Sequence, residues 1–211
     1  MSKYIDKLGI ELEGGWTKGE RGKQLFPDVP HHFDRSVEFR ADTDALHIGE
    51  LASPPMSLEA ALEWLKAHYP QRVNASCGYH IHTSLIHNSD YSRLASKRFY
   101  QYYLEAWQKW GEKEQQGPNS EFAIRLAGRN RFARKTLDFM GEQITAREKP
   151  NSRRAHLNFC YGLHQTLENR MLPMFRSIGR AGRALKFHHD MIEEYLAQPF
   201  TTSLPTITVT D

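Results

Sequence analysis

The chain has little of what would settle its class at once. Its two cysteines, Cys77 and Cys160, are too few for a disulfide framework, and neither sits in an obvious nucleophile setting. No apolar run approaches the length of a membrane span. The opening segment MSKYIDKLGIELE has neither an apolar core nor a cleavage-site pattern, so the expectation is a cytoplasmic protein with reduced thiols. There is no internal repeat and no low-complexity tract. Nor is there a surplus of one charge: 28 Lys and Arg are scattered among 25 acidic residues, for a formal net charge of +3. That argues against nucleic-acid binding by bulk electrostatics while leaving room for a local phosphate pocket. A P-loop is missing too, because Gly22-Lys23 is followed by Gln24 and position 17 holds Thr where that motif needs Gly.

What is present is the make-up of one folded domain over residues 1–211, with 39% hydrophobic residues, 25% charged residues, 11 Phe, 9 Tyr and 4 Trp. Period-two alternation marks the strands. In Cys77–Leu85, Tyr79, Ile81, Thr83 and Leu85 share one face, and Gly78, His80, His82 and Ser84 share the other. Two imidazoles thus stand side by side, about 7 Å apart at their Cβ atoms, close enough to reach one cation or one metal–phosphate cluster. Residues 4–13 alternate as well, with Leu8, Ile10 and Leu12 opposite Gly9, Glu11 and Glu13. Two like charges on one strand face cost free energy unless solvent or a cation compensates, so Glu-x-Glu is either a solvated face or a metal candidate.

Residues 14–32 are rich in Gly and Pro and read as a loop. Alternation over Phe33–Arg40 predicts a strand, and a short strand around Leu46–Ala52 carries Glu50 before Ser53-Pro54-Pro55 ends it. Ser57 caps a helix through about Tyr69, residues 91–115 form a longer helix with an aromatic stripe, and a last helix spans about 175–198. Arg125, Arg129, Arg131, Arg134 and Lys135, with Asn130 among them, either line an anion site or form a solvated face. Residues 154–172 read as a hairpin with Glu168 and Arg170 on one face, and Ile207–Val209 as an edge strand. These elements predict an α+β fold: a curved, mostly antiparallel sheet with helices packed on its outer face. Glu-x-Glu, His-x-His and Glu-x-Arg gathered on its concave side would make a multi-cation site with arginine at the rim, suited to a nucleotide triphosphate.

These motifs resemble those of the carboxylate–amine ligase superfamily that includes glutamine synthetase and glutamate–cysteine ligase. Gly9-Ile10-Glu11-Leu12-Glu13 is similar to its first-strand G-x-E-x-E, Gly78-Tyr79-His80-Ile81-His82 to its G-x-H-x-H strand, and Glu168-Asn169-Arg170 to its late E-x-R strand. The small amidoligase family found in phages and bacterial gene clusters adds two more: Asp34-Arg35-Ser36-Val37 resembles its D-x-S-V, and Gly49–Pro55 resembles its G-E-[LIV]-x-S-P-P. The resemblance runs in order from residue 9 to about 175. It implies a glutamine-synthetase-like catalytic domain using ATP and Mg2+ (or Mn2+) to join a small-molecule or peptide carboxylate to an amine through an acyl phosphate. It further implies Glu11, Glu13, Glu50, His80 and Glu168 as metal ligands, Arg170 and Arg154 as catalytic residues, and His82 and Asn158 with Arg170 beside the nucleotide. Asp34 and Ser36 would face substrate, although the wide Asp34-to-Glu50 spacing leaves Asp42 or Asp44 as the counterpart of the family's aspartate. No nucleic-acid or membrane partner is implied, and the setting would be the cytoplasm, of a bacterial host if the chain is phage-encoded. Two other readings stand beside it. One is a relative that binds nucleotide and metal without turnover; the other is a zinc-dependent hydrolase built on His80 and His82.

Overall fold

The structure, a computed structural model, describes residues 2–19, 25–135, 154–159 and 165–199. Its architecture is α+β, organised by one six-stranded antiparallel sheet. The strands are β1 (Ile5–Trp16), β2 (His31–His32), β3 (His47–Ala52), β4 (Tyr79–Leu85), β5 (Leu157–Phe159) and β6 (Leu167–Asn169), in the order β2-β3-β1-β4-β6-β5. The helices are α1 (Leu58–His68), α2 (Asp90–Leu94), α3 (Lys97–Lys113), α4 (Glu121–Leu126) and α5 (Ile178–Ala197).

The alternation that marks the strands also sorts the two faces. Leu8, Ile10 and Leu12 of β1 and Tyr79 and Ile81 of β4 are almost wholly buried in the core with Leu65 of α1 and Leu185 of α5. The polar contacts show which face the helices cover. On α5, the His188 imidazole is hydrogen-bonded to Thr83 Oγ1 at 2.9 Å and to Asn169 Nδ2 at 3.3 Å, and Tyr103 of α3 donates to Asn169 Oδ1 at 2.9 Å. Thr83 and Asn169 alternate with His82 and Glu168, so α3 and α5 lie on the face opposite those charged groups. Burial pushes the His188 imidazole down to about 3, and it stays neutral inside this network. Behind it Trp107 and Trp110 pack against Phe122, Phe175 and Phe187 in a continuous aromatic core.

Local chemistry explains the helix starts. Ser57, Ser96, Ser120 and Ser177 each precede a helix and each accepts a hydrogen bond from a backbone N–H three residues on. At the chain's start the Glu193 carboxylate of α5 accepts the backbone N–H groups of Lys3, Tyr4 and Ile5 at 2.9–3.0 Å and pins β1 at its entry.

Several elements differ from the expectations of the sequence. Phe33–Arg40 forms no strand; Asp34 Oδ1 accepts the Ser36 N–H and the Asp34 carbonyl accepts the Val37 N–H, so the alternation belongs to a turn followed by extended chain. The reading of 14–32 as loop is corrected at both ends, since β1 continues to Trp16 and His31–His32 pairs with β3. The single helix over 91–115 is two, because Ser96 is extended, closes α2 by donating to the Arg93 carbonyl and caps α3. The hairpin of 154–172 is present as β5 and β6, with shorter strands. The expected strand at 207–209, Cys160 and the hairpin residues 161–164 lie outside the described residues.

Candidate metal centre

Register is what assembles the charged face. Across the sheet, Glu13 is opposite Glu50, Glu11 is opposite His80, and His82 is opposite Glu168, which is opposite Asn158. Directly opposed side chains stand about 5 Å apart, so five strands place their polar groups within reach of one another. Asp34 joins them from the turn that follows β2.

The side chains form three overlapping trios, each with its ligand atoms within 4.8 Å of one another: Glu11, His82 and Glu168; Glu11, Glu50 and His80; and Glu13, Asp34 and Glu50. Glu11 and Glu50 are each shared by two trios. Glu11 is the hinge between the imidazoles: its Oε2 lies 2.9 Å from His80 Nδ1 and its Oε1 lies 3.0 Å from His82 Nε2. His80 turns its other nitrogen to Glu13 Oε1 at 3.6 Å. Among the described residues no trio contains both histidines. Both imidazoles nevertheless approach one Glu168 oxygen, His80 Nδ1 at 3.8 Å and His82 Nε2 at 3.9 Å from Oε1.

The glutamates are held by fixed donors. The Gly78 backbone N–H donates to Glu13 Oε2 at 2.5 Å. A side chain at this strand entry would crowd the site, since a Cβ there would lie 2.5 Å from His80 Nε2 and 3.1 Å from Glu13 Oε2 and the imidazole would have to shift. Glu168 receives Arg170 Nη1 on one oxygen at 2.5 Å and Asn158 Nδ2 on the other at 2.9 Å. His82 Nδ1 approaches Thr166 Oγ1 at 3.3 Å. Glu13, His80 and Glu168 are buried, with relative exposures of 3, 2 and 4%.

Electrostatically the site is short of positive charge: five carboxylates face two imidazoles and the guanidinium of Arg170. The cost falls on Glu50, whose carboxyl is pushed up to about 7 by burial and by the charges of Glu11, Glu13 and Asp34, against a partial counter-effect from His80. Burial also opposes ionisation of Glu11 and Glu168, but bonds from His80 and His82 hold Glu11 well below the usual range, and the charges of Arg170 and the histidines lower Glu168. His82 is shifted upward, the carboxylates of Glu11 and Glu168 outweighing its burial. Arg170 keeps one more clue: its Nε is buried and has no hydrogen-bond partner among the described residues.

The remaining expected site residues fall as follows. Asp34, for which the resemblance implies a substrate-facing role, takes part in the trio with Glu13 and Glu50; Ser36 is tied to it through its backbone N–H. Asp44 forms an ion pair with Arg72 on the exposed surface. Arg154 is exposed just before β5, its carbonyl accepting the Arg134 N–H. Arg125 leaves the basic cluster altogether: buried, it donates to the carbonyls of Ala75, Cys77 and Leu172 and to Glu121. Burial pushes the Cys77 thiol up to about 11, an environment without thiolate chemistry. What the sequence could not reveal is the backbone donor at Gly78 and the register that lets Glu11 bridge two histidines. Searches against protein-family models, curated proteins and solved structures found no match for this chain.

Proposed function

We propose that the chain is an ATP-dependent carboxylate–amine ligase with a glutamine-synthetase-like catalytic domain, requiring Mg2+ or Mn2+. The observation that carries this reading is the row of three overlapping trios, two of carboxylates with an imidazole and one of carboxylates alone, ending at an arginine whose buried Nε has no hydrogen-bond partner among the described residues. The donor set fits divalent ions that prefer oxygen and accept imidazole, and a protonation-prone Glu50 marks a face built for cations it must acquire. Glu11, Glu50 and His80, Glu13 and Asp34, and Glu168 with His82 would hold them. Bound together, cations and ATP would supply charge neutralisation on the triphosphate and the phosphoryl group that activates the substrate carboxylate.

The chain's own residues do the rest. Arg170 would offer an incoming anion its Nε–H, which has no partner among the described residues, while Nη1 stays on Glu168. Asn158 fixes the other Glu168 oxygen, and the two histidines hold Glu11 ionised between them. In the overall reaction the carboxylate oxygen takes the γ-phosphoryl group, releasing ADP; the amine then attacks the acyl carbon, phosphate leaves, and the amine loses a proton. No protein nucleophile is needed, in keeping with a buried, unactivated Cys77. Because the histidines serve different trios, a single-zinc hydrolase is the weaker reading.

The test is calorimetric ATP binding with and without magnesium, on the native chain and on Glu168→Gln. Magnesium-dependent binding that the substitution weakens at least tenfold is expected, followed by ADP release in the presence of a suitable carboxylate and amine. Absence of ATP binding at every magnesium concentration overturns the reading.

A further inference from the structure

Beside the sheet, residues 127–135 close into an open basin of about 450 Å3 lined by Arg129, Asn130, Arg131, Arg134 and Lys135. The loop carries four cations and no acid. It is a built surface rather than a loose one. Asn130 donates to Glu121 Oε1 at 2.5 Å and accepts the Phe132 N–H at 2.7 Å. Gly128 has φ +70°, and a Cβ on it would come within 2.7 Å of the Lys135 side chain, so the two ends of the loop meet there. Arg131 lies over the Phe132 ring and pairs with Glu38; among the described residues Arg129, Arg134 and Lys135 have no carboxylate partner. Like charges gathered on one exposed loop repel weakly through water, and a bound anion offsets that repulsion.

Two connections place this basin at the edge of the charged face. Arg134 is paired with Ala155 through Arg134 N–H to the Arg154 carbonyl at 2.7 Å and His156 N–H to the Arg134 carbonyl at 2.8 Å. Asn158, which holds Glu168, lies three residues farther along the chain, about 10 Å at strand rise. On the other side Arg131 grips Glu38, which follows in sequence the turn carrying Asp34. Both ties lead to residues of the trios.

We infer that the basin seats the distal carboxylates of an acidic, extended substrate whose reacting carboxylate lies on the cation row. The ligand class is a short acidic peptide, whose extended backbone of roughly 3.3–3.6 Å per residue could run from the basin beside β5 toward Asn158 and Glu168. This rests on the ligase reading for the reacting end only; the basin's affinity for acidic groups does not require ATP. Unlike a nucleic-acid surface, the basin is confined to one loop on a chain whose other charges are mixed.

The test is calorimetric binding of triglutamate at low ionic strength without nucleotide, against triglutamine as the neutral control, with inorganic triphosphate and a single-stranded oligonucleotide as competitors. Triglutamate should bind, triglutamine should not, and the doubly charge-reversed Arg129→Glu/Arg134→Glu should bind at least about tenfold more weakly. The milder Arg129→Gln/Arg134→Gln should fall between, and both variants, altered only at exposed positions, should keep the native thermal midpoint. Equal binding of triglutamine, indifference to charge reversal, or tighter binding of triphosphate or oligonucleotide at the basin overturns the inference. ATP binding measured on the same samples separates the two proposals: ATP binding without triglutamate binding removes the basin assignment alone, and the converse removes the ligase reading alone.

Discussion

Replacing Glu50 by Gln should stabilise the cation-free protein and cripple its response to cations. In the folded chain Glu50 is pushed from its ordinary 4.5 to about 7, chiefly by burial and by Glu11. At about 1.4 kcal/mol per pH unit the displacement corresponds to about 3 kcal/mol, which the partial exposure of Glu50 discounts to about 2. The sign follows from proton counting. Between pH 4.5 and about 7 the folded state holds a proton at Glu50 that the unfolded chain has released, so this contribution to stability declines as pH rises through that window and stays at its minimum above it. Glu50→Gln removes the decline. After exhaustive chelation, its melting temperature should match the native protein near pH 4.5 and exceed it by about 4–8 °C at pH 8. Saturating Mn2+ or Mg2+ should reverse that order, because a ligand at about a hundredfold its Kd adds about 2.7 kcal/mol to the native fold. The variant loses a carboxylate shared by two trios and gains much less. Scanning calorimetry across pH, with chelator and with cation, makes the comparison. A variant less stable than native at pH 8 without cations, or one with an unchanged cation response, would refute the reasoning.

Gly78→Ala should leave the fold intact but cut cation affinity at the His80 trio about tenfold, since the new methyl group displaces the imidazole from its place 2.5 Å away; cation titration of the variant checks it. Arg125→Leu should cost about 3 kcal/mol, because the carbonyls of Ala75 and Cys77 lose a buried donor, and chemical denaturation should show the loss with the denaturant slope preserved.

How far the sequence revealed this arrangement depended on the range of the cause. The alternation of Leu8-Gly9-Ile10-Glu11-Leu12-Glu13 and of Tyr79–Leu85 names both the strands and their charged faces, because side-chain direction along a strand is local. Phe33–Arg40 shows the limit of the same rule: Val37 is buried and Phe39 packs beside Gly15, so period two arises from an extended segment held by the Asp34 side chain, with no ladder. Arg125 looked like its neighbours in the basic run, and only the approach of α4 to the Ala75–Cys77 chain distinguishes it. Registers such as Glu11 opposite His80 are long-range and invisible to periodicity. Asp34's place beside Glu13 and Glu50 follows from the same kind of cause.

The seat of β6 between β4 and β5 has a consequence for how the protein comes into being. Glu11, Glu13, Asp34, Glu50, His80 and His82 all leave the ribosome well before Glu168 and Arg170, yet β6 is the immediate neighbour of β4. A nascent chain ending near residue 135 therefore holds most of the acidic face without the arginine that closes it. Such distant pairing is slow to form, which makes the final docking of β6 a late folding event. The acidic face is thus completed only when β6 has docked, and a chain cut before it carries six of the charged groups without Glu168 and the arginine bonded to it.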